Sequence, residues 1–237
     1  MPSILADLHC HTVHSKDCLM KPGRLLEICR QRGIDRIAIT DHNTIGGALS
    51  ASAIDPERVI VGEEILTTRG EILAYYLQEE VPPGLSPEDT IARLRRQGAV
   101  ISVSHPFDGT RSGSWQEQDL EAILGLVDAV EVFNARVWGD RANRRAATFA
   151  QRAGLAGTAG SDAHAYLEIG RAGLRLPAFR DAEGLRRALH EAEVVGRRSS
   201  PLVHLLSRYA SIVQRARKPG STGAGTGPGD PRAQFTP

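Results

Sequence analysis

Residues 3–17 read SILADLHCHTVHSKD: a short apolar run that opens into three histidines, one cysteine and two aspartates between Asp7 and Asp17. His9 and His11 are one residue apart, so on an extended strand both point to one face while Leu8 and Cys10 point to the other. A strand that ends in two side-by-side imidazoles has the makings of half a metal site.

The same grammar recurs along the chain. RIAITDHN ends in Asp41 and His42, RVIVGEE in Glu63 and Glu64, and AVISVSHP in His105. AVEVFN carries Glu131 and Asn134, and LAGTAGSDAH carries Asp162 and His164. With EILAYYL these runs give seven candidate strands, mostly continuous in apolar character, as expected of strands buried on both faces. Helical patterns lie between several of them. KPGRLLEICRQRG stops at Gly33, and SPEDTIARLRRQG has Ser86 as N-cap, Pro87 at the first helical position and Gly98 as its stop. GDRANRRAATFAQRAG and DAEGLRRALHEAE read the same way. Strand and helix in alternation predict an α/β fold with a parallel sheet, closed or open, whose C-terminal strand ends carry the site.

Beyond Gly170 the pattern loosens, and a last helix is expected over PLVHLLSRYASIVQRAR. One domain over residues 1–216 is expected, followed by a Gly/Pro/Ser/Thr-rich tail over 217–237. That tail has too little apolar surface to offset its ordering entropy and is expected to be disordered and without chemistry. The 237 residues are 41% hydrophobic and 24% charged with a formal net charge of +1, which offers no broad electrostatic footprint for long nucleic acid or an anionic membrane. No apolar run is long enough to span a bilayer, and the first residues lack the features of a signal peptide. Cys10, Cys18 and Cys29 match no zinc-finger spacing and read as ordinary thiols of a reducing, cytoplasmic protein. His14 reads as solvated or substrate-facing, and His190 and His204 as structural or surface residues of helices.

Taken singly, each acidic or imidazole residue has a plain structural explanation. Asp41 and His42 could cap a helix over NTIGGALSAS, and Glu63 and Glu64 could be a solvated pair. Taken together they cannot be explained so cheaply, because burying several carboxylates and imidazoles at one sheet edge is costly unless cations neutralise them. Divalent metals are the simplest compensation.

The ordered set DLHCHT, SKD, ITDHNT, GEE, SHP and GSDAH resembles the PHP family, named for polymerase and histidinol phosphatase, over roughly seven tenths of the chain from Asp7 to about Arg171. GEEILTTRGEILAYYL, SHPFD, EVFNAR and EIGRA are similar to its stand-alone phosphoesterase branch. The resemblance implies a distorted (β/α)7 barrel with two or three divalent ions (Mn, Fe or Zn) at the C-terminal mouth. Carried over by motif, His9, His11, Glu64 and Asp162 hold one ion, and Asp17, His42 and His164 another. His105 joins Glu64 on a middle ion. Glu64 is preferred to Glu63 because the family pattern is Gly-x-Glu from Gly62. Some relatives supply a further histidine from the next strand; GEILAYYLQEE has none, leaving Glu71 as a further candidate.

Such a centre predicts a metal-dependent phosphoesterase acting on a small phosphorylated substrate, a nucleotide or sugar phosphate. His105 and Asp162 are the candidates for proton transfer, and Arg136, Arg111 and Arg171 for phosphate clamps, with Asn134 as a further contact. Trp115, in HPFDGTRSGSWQ, is expected to offer an aromatic face to a base or sugar. Ser161 has no G-x-S-x-G around it, and no P-loop is present. Three alternatives stand beside this reading. A 3′-end exonuclease on short nucleic acid would need a basic groove leading to the mouth. A catalytically silent metal-binding regulatory domain is disfavoured by the full ligand set. An amide or lactone hydrolase would use the same ions. The sequence leaves the oligomeric state open.

Overall fold

The computed structural model describes residues 2–111 and 113–217. The chain runs β1 (Ser3–Asp7), α1 (Pro22–Gln31), β2 (Arg36–Ile39), α2 (Gly46–Ser52), β3 (Val59–Leu66) and β4 (Glu71–Tyr75). It continues through α3 (Pro87–Arg96), β5 (Val100–Val103), α4 (Glu117–Ile123), β6 (Ala129–Asn134), α5 (Arg141–Ala153) and β7 (Ala156–Gly160). It closes with β8 (Ala172–Pro177), α6 (Ala182–Leu189), β9 (Glu193–Gly196) and α7 (Val203–Arg217). The tail expected from residue 217 lies outside the described residues, apart from Arg217 at the end of α7.

The strands form one sheet in the order β7-β6-β5-β4-β3-β2-β1-β8-β9. It nearly closes on itself, because β7 returns to the far end of β1: Leu8 N donates to Ala159 O at 3.2 Å and Asp162 N to His9 O at 2.7 Å. Gly160 permits this, since a Cβ there would lie 2.3 Å from His9 Cβ and 2.6 Å from its backbone nitrogen. Ala6, Ala38, Ile60, Tyr75, Val100, Ala129 and Ala159, one from each of the first seven strands, pack in a single buried cluster. The narrow side chains among them suit a tight barrel interior. Leu174, Leu176, Phe179 and Leu185 from β8, the loop after it and α6 join this cluster. Two further layers sit outside. Leu25, Leu26 and Cys29 of α1 pack on Ile37 and Ile39 of β2. Ile91 and Leu94 of α3 and Leu120 and Ile123 of α4 pack on Ile72, Ile101 and Val130.

The sheet is mixed, where a parallel one was expected. β4 runs antiparallel to both β3 and β5, and β8 and β9 are antiparallel as well. Only Thr67–Gly70 join β3 to β4, and a parallel crossover needs a dozen residues or more. The reversal matters for function, because the start of β4, not its end, lies at the mouth; that places Glu71 beside Leu66, the last residue of β3. β8, β9 and α4 were not anticipated. β9 is a short, largely exposed edge strand, and α4 is only seven residues, too few for a clear helical period.

Candidate metal centre

β1 ends at Asp7, so the histidine pair lies just past it, held extended by pairing of Cys10 with Ala163. Both imidazoles still enter one space, with Nε2 atoms 3.1 Å apart. β3 alternates: Glu64 turns to the same space while Glu63 faces away and accepts from Val81 N. Asp162 arrives after β7 with φ of 51°, a left-handed backbone held by its neighbours at a cost of about 1–3 kcal/mol.

These four residues meet closely. His9 Nε2 lies 3.4 Å from Glu64 Oε2 and 3.6 Å from Asp162 Oδ1, and His11 Nε2 lies 3.5 and 3.2 Å from the same two oxygens. Ligands about 2.0–2.1 Å from one metal stand about 3.3–3.4 Å apart at tetrahedral angles, so the spacing suits an ion. Beside them Asp17 reaches His42 Nε2 at 3.6 Å and His164 Nε2 at 3.3 Å, and His11, His42 and His164 can share an ion. On the other flank His105 Nε2 lies 2.9 Å from Glu64 Oε1 and 3.5 Å from Glu71 Oε2, and His42, Glu64 and Glu71 form a third group. Each predicted ligand, Glu71 included, is thus brought to one rim.

Hydrogen bonds behind the cluster decide which atoms face it. His9 Nδ1 donates to Glu131 Oε1 at 2.8 Å, leaving Nε2 as a lone pair. Ser15 Oγ gives its proton to Asp41, so His11 Nδ1 must donate to Ser15, and again Nε2 is a lone pair. His164 Nδ1 donates to Asp162 O at 2.8 Å, with the same result. With both imidazoles neutral, these are two lone pairs 3.1 Å apart, which cannot bond to each other. Meanwhile Asp17 Oδ1, Glu64 Oε2 and Asp162 Oδ1 are buried without any hydrogen-bond donor. Cations are what this donor set lacks, and it fits divalent metal.

The electrostatics show the same surplus of negative charge at the rim. Burial disfavours charge on His9, but the Glu64, Glu131 and Asp162 carboxylates outweigh it and raise its pKa well above the ordinary value. His11 is held well below its ordinary value by burial and by His164 and His42. Burial opposes ionisation of Asp162, yet Arg111 and His9 hold it far down. Asp41 caps no helix; its oxygens take Thr12 N, Thr12 Oγ1 and Ser15 Oγ, making it the anchor of the His11 loop. Asp7, pushed up to about 6 by burial, accepts from Ser161 and Gly170. Cys10, Cys18 and Cys29 are free, buried thiols, all raised by burial.

Above the cluster opens a cavity of about 820 Å³ lined by Asp17, His42, Glu71 and His164 at its floor and by Lys16, Arg111, Arg136 and Arg208 at its walls. Arg136 is buried, held by Ser207 Oγ at 2.8 Å and near Glu168, and its Nη1 has no partner. Arg111 is committed to Asp108 and Asp162. Arg171 is not at the mouth; it lines a separate cleft with Arg32 and Arg197. Asn134 is fully buried, its amide donating to Glu131 and Asp162 and its carbonyl accepting from Arg136 N, so it steadies Asp162 and does not face the cavity. Trp115 is a core residue, 5% exposed, with Nε1 donating to Glu71 O. The aromatic at the mouth is instead Trp138, 56% exposed and stacked on His204 at 5.3 Å. α7 carries His204 across the mouth, where it meets Arg136; helical periodicity alone could not reveal that placement. His14 and His190 are exposed, as expected.

A rim of carboxylates and imidazoles on a nearly closed, mixed α/β barrel defines the class of PHP-like metal-dependent phosphoesterase folds. The chain belongs to the PHP family: the profile described as PHP domain matches residues 7–79, and that described as PHP-associated matches 140–194. An uncharacterised protein of Methanocaldococcus jannaschii is 38% identical over 55% of this chain and 81% of its own length. A two-domain protein from Bacteroides vulgatus containing a predicted PHP-like metal-dependent phosphoesterase superposes with TM-score 0.67 at 21% identity, over 83% of this chain and 65% of that one. The chain thus spans just under two thirds of that two-domain protein. The lesion-specific endonuclease PfuEndoQ of Pyrococcus furiosus superposes with TM-score 0.62 at 15% identity, over 84% and 60%.

Proposed function

We propose that this protein hydrolyses phosphate esters of a small substrate, a nucleotide or sugar phosphate, with two or three divalent ions (Mn, Fe or Zn) held at the rim. The carrying observation is the set of imidazole lone pairs and donor-less carboxylate oxygens facing one another below a cation-walled cavity. His9, His11, Glu64 and Asp162 would hold one ion; Asp17, His42 and His164 a second; Glu64, His105 and Glu71 a third. Bound divalent metal supplies a water of lowered pKa and neutralises charge on phosphoryl oxygens.

The chain's own residues do the rest. Arg136, at the cavity wall with a partnerless Nη1, is the candidate clamp for a phosphate oxygen. Arg111 and Asn134 fix the Asp162 carboxylate. If not committed to the third ion, His105 is a candidate to pass a proton to the leaving oxygen, with Asp162 or a metal-bound water as the others. The buried free thiols support work in a reducing compartment. Among the described residues no helix is long and apolar enough to cross a membrane.

The test is a hydrolysis screen over nucleotides, sugar phosphates and short oligonucleotides, with manganese, zinc, iron or magnesium added to stripped protein. Metal-dependent release of phosphate or nucleotide is expected. Turnover of carboxylic esters or lactones, with none of phosphate esters, would overturn the reading.

A further inference from the structure

From the metal mouth a path walled mainly by arginines, with Asp108 and Glu117 as its acidic members, leads out along α5. The mouth cavity shares Thr110 and Trp138 with a neighbouring groove of about 280 Å³, and that groove shares Phe107, Arg141 and Arg145 with a third of about 350 Å³. Arg141, Arg145 and Arg152 follow one face of α5 at four- and seven-residue steps, with Arg144 beside them; all four are exposed. At 1.5 Å per residue this stripe is about 16 Å long. Arg145 is tied to Glu117 and Arg144 to Asp140, whereas Arg141 and Arg152 have no carboxylate within salt-bridge distance among the described residues. One aromatic face is set into the same path: Trp138 stands exposed where the first groove meets the mouth, whereas the Phe107 ring is covered by Arg145 at 4.1 Å. On a chain of net charge +1, this is a concentrated basic stripe.

We infer that this path is a binding track for single-stranded oligonucleotide, with one end of the strand in the metal mouth and its phosphates on the α5 arginines. A mononucleotide or sugar phosphate would fill the mouth and leave α5 unused. Guanidinium groups along a helix match a run of phosphates, and the exposed Trp138 ring at the mouth offers a stacking surface to an unpaired base but not to a closed duplex. The inference deepens the phosphoesterase reading, on which it rests only for the fate of the bound strand.

The experiment uses full-length, manganese-loaded protein and a short fluorescein-labelled oligothymidylate with phosphorothioate linkages that resist cleavage. Anisotropy is read across a salt series. Saturable binding is expected, with log affinity falling against log salt at a slope of about −2 to −3, the value for three or four phosphates on a single strand. Arg141→Gln together with Arg152→Gln should reduce that slope by about 1.4 and weaken low-salt binding about tenfold or more, while turnover of bis(p-nitrophenyl) phosphate is preserved. Absence of saturable binding, an unaltered slope and affinity in the double variant, or tighter binding of a duplex of equal length would overturn the track. Oligonucleotide binding as described, with no hydrolysis of any phosphate ester, would uphold the track and defeat the hydrolytic reading instead.

Discussion

Glu63 and Glu64 are neighbours on β3 with opposite fates, and each makes a prediction at the scale of one side chain. Glu64 belongs to two of the three candidate ion positions; Glu63, pushed up to about 7 by burial, accepts one hydrogen bond among the described residues, from Val81 N. Below the ordinary glutamate value both folded and unfolded chains carry its proton. Between that value and about 7 only the folded chain keeps it, so its contribution to stability falls as pH rises through this window. Glu63→Gln should therefore raise the thermal midpoint at pH 8 by an amount worth on the order of 2 kcal/mol and leave pH 4 stability nearly unchanged, as read by calorimetry. Glu131→Ala removes the acceptor that fixes His9 and should lower metal affinity about 10–100-fold in a competition titration. His9→Ala or Asp162→Ala should abolish hydrolysis and deplete bound metal by elemental analysis. Arg136→Ala should raise KM for phosphate monoesters about tenfold or more with little change in expression, since a charged hydrogen bond is worth about 1.5–3 kcal/mol.

At the scale of elements, the closing of β7 on β1 depends on a missing side chain. Gly160→Ala drives a methyl into the His9 backbone and should cost about 1–3 kcal/mol by denaturant midpoint, with metal content falling in parallel. Ligands were legible in the sequence because each apolar run announces its own end: a strand stops, and the polar residue after it has nowhere to go but the rim. The direction of β4 was less legible, for its apolar run is the same read either way. Only the four-residue link Thr67–Gly70 betrays the hairpin, and with it the reason Glu71 stands where other strands present their last residues. Trp115 and Trp138 show the limit more sharply. A tryptophan in a Gly-rich loop reads as exposed, but Trp115 folds back against Gly70, where a Cβ would lie 2.2 Å from its ring. Nothing in the local pattern of RVWGD says that Trp138 will meet His204, which is contributed by a helix 66 positions further on.

On the scale of the whole molecule, the rim concentrates Asp17, Glu64, Glu71, Glu131 and Asp162, and among the described residues only Asp162 of these is paired with a guanidinium, that of Arg111. Removing metal with a chelator should lower the thermal midpoint, and adding it back should restore the midpoint in proportion to free ion, because ligand bound only by the folded chain stabilises it by mass action. The sheet order has a consequence for how the protein is made. Within this sheet β1 is synthesised before the other strands, yet its two neighbours are β2 and β8, and His9 waits for Asp162, more than 150 residues downstream. A ribosome-bound fragment ending before β7 holds only part of the coordination shell. Assembly of the candidate metal centre is therefore a late event of biogenesis, and renaturation should be slow, as topologies rich in distant pairings are.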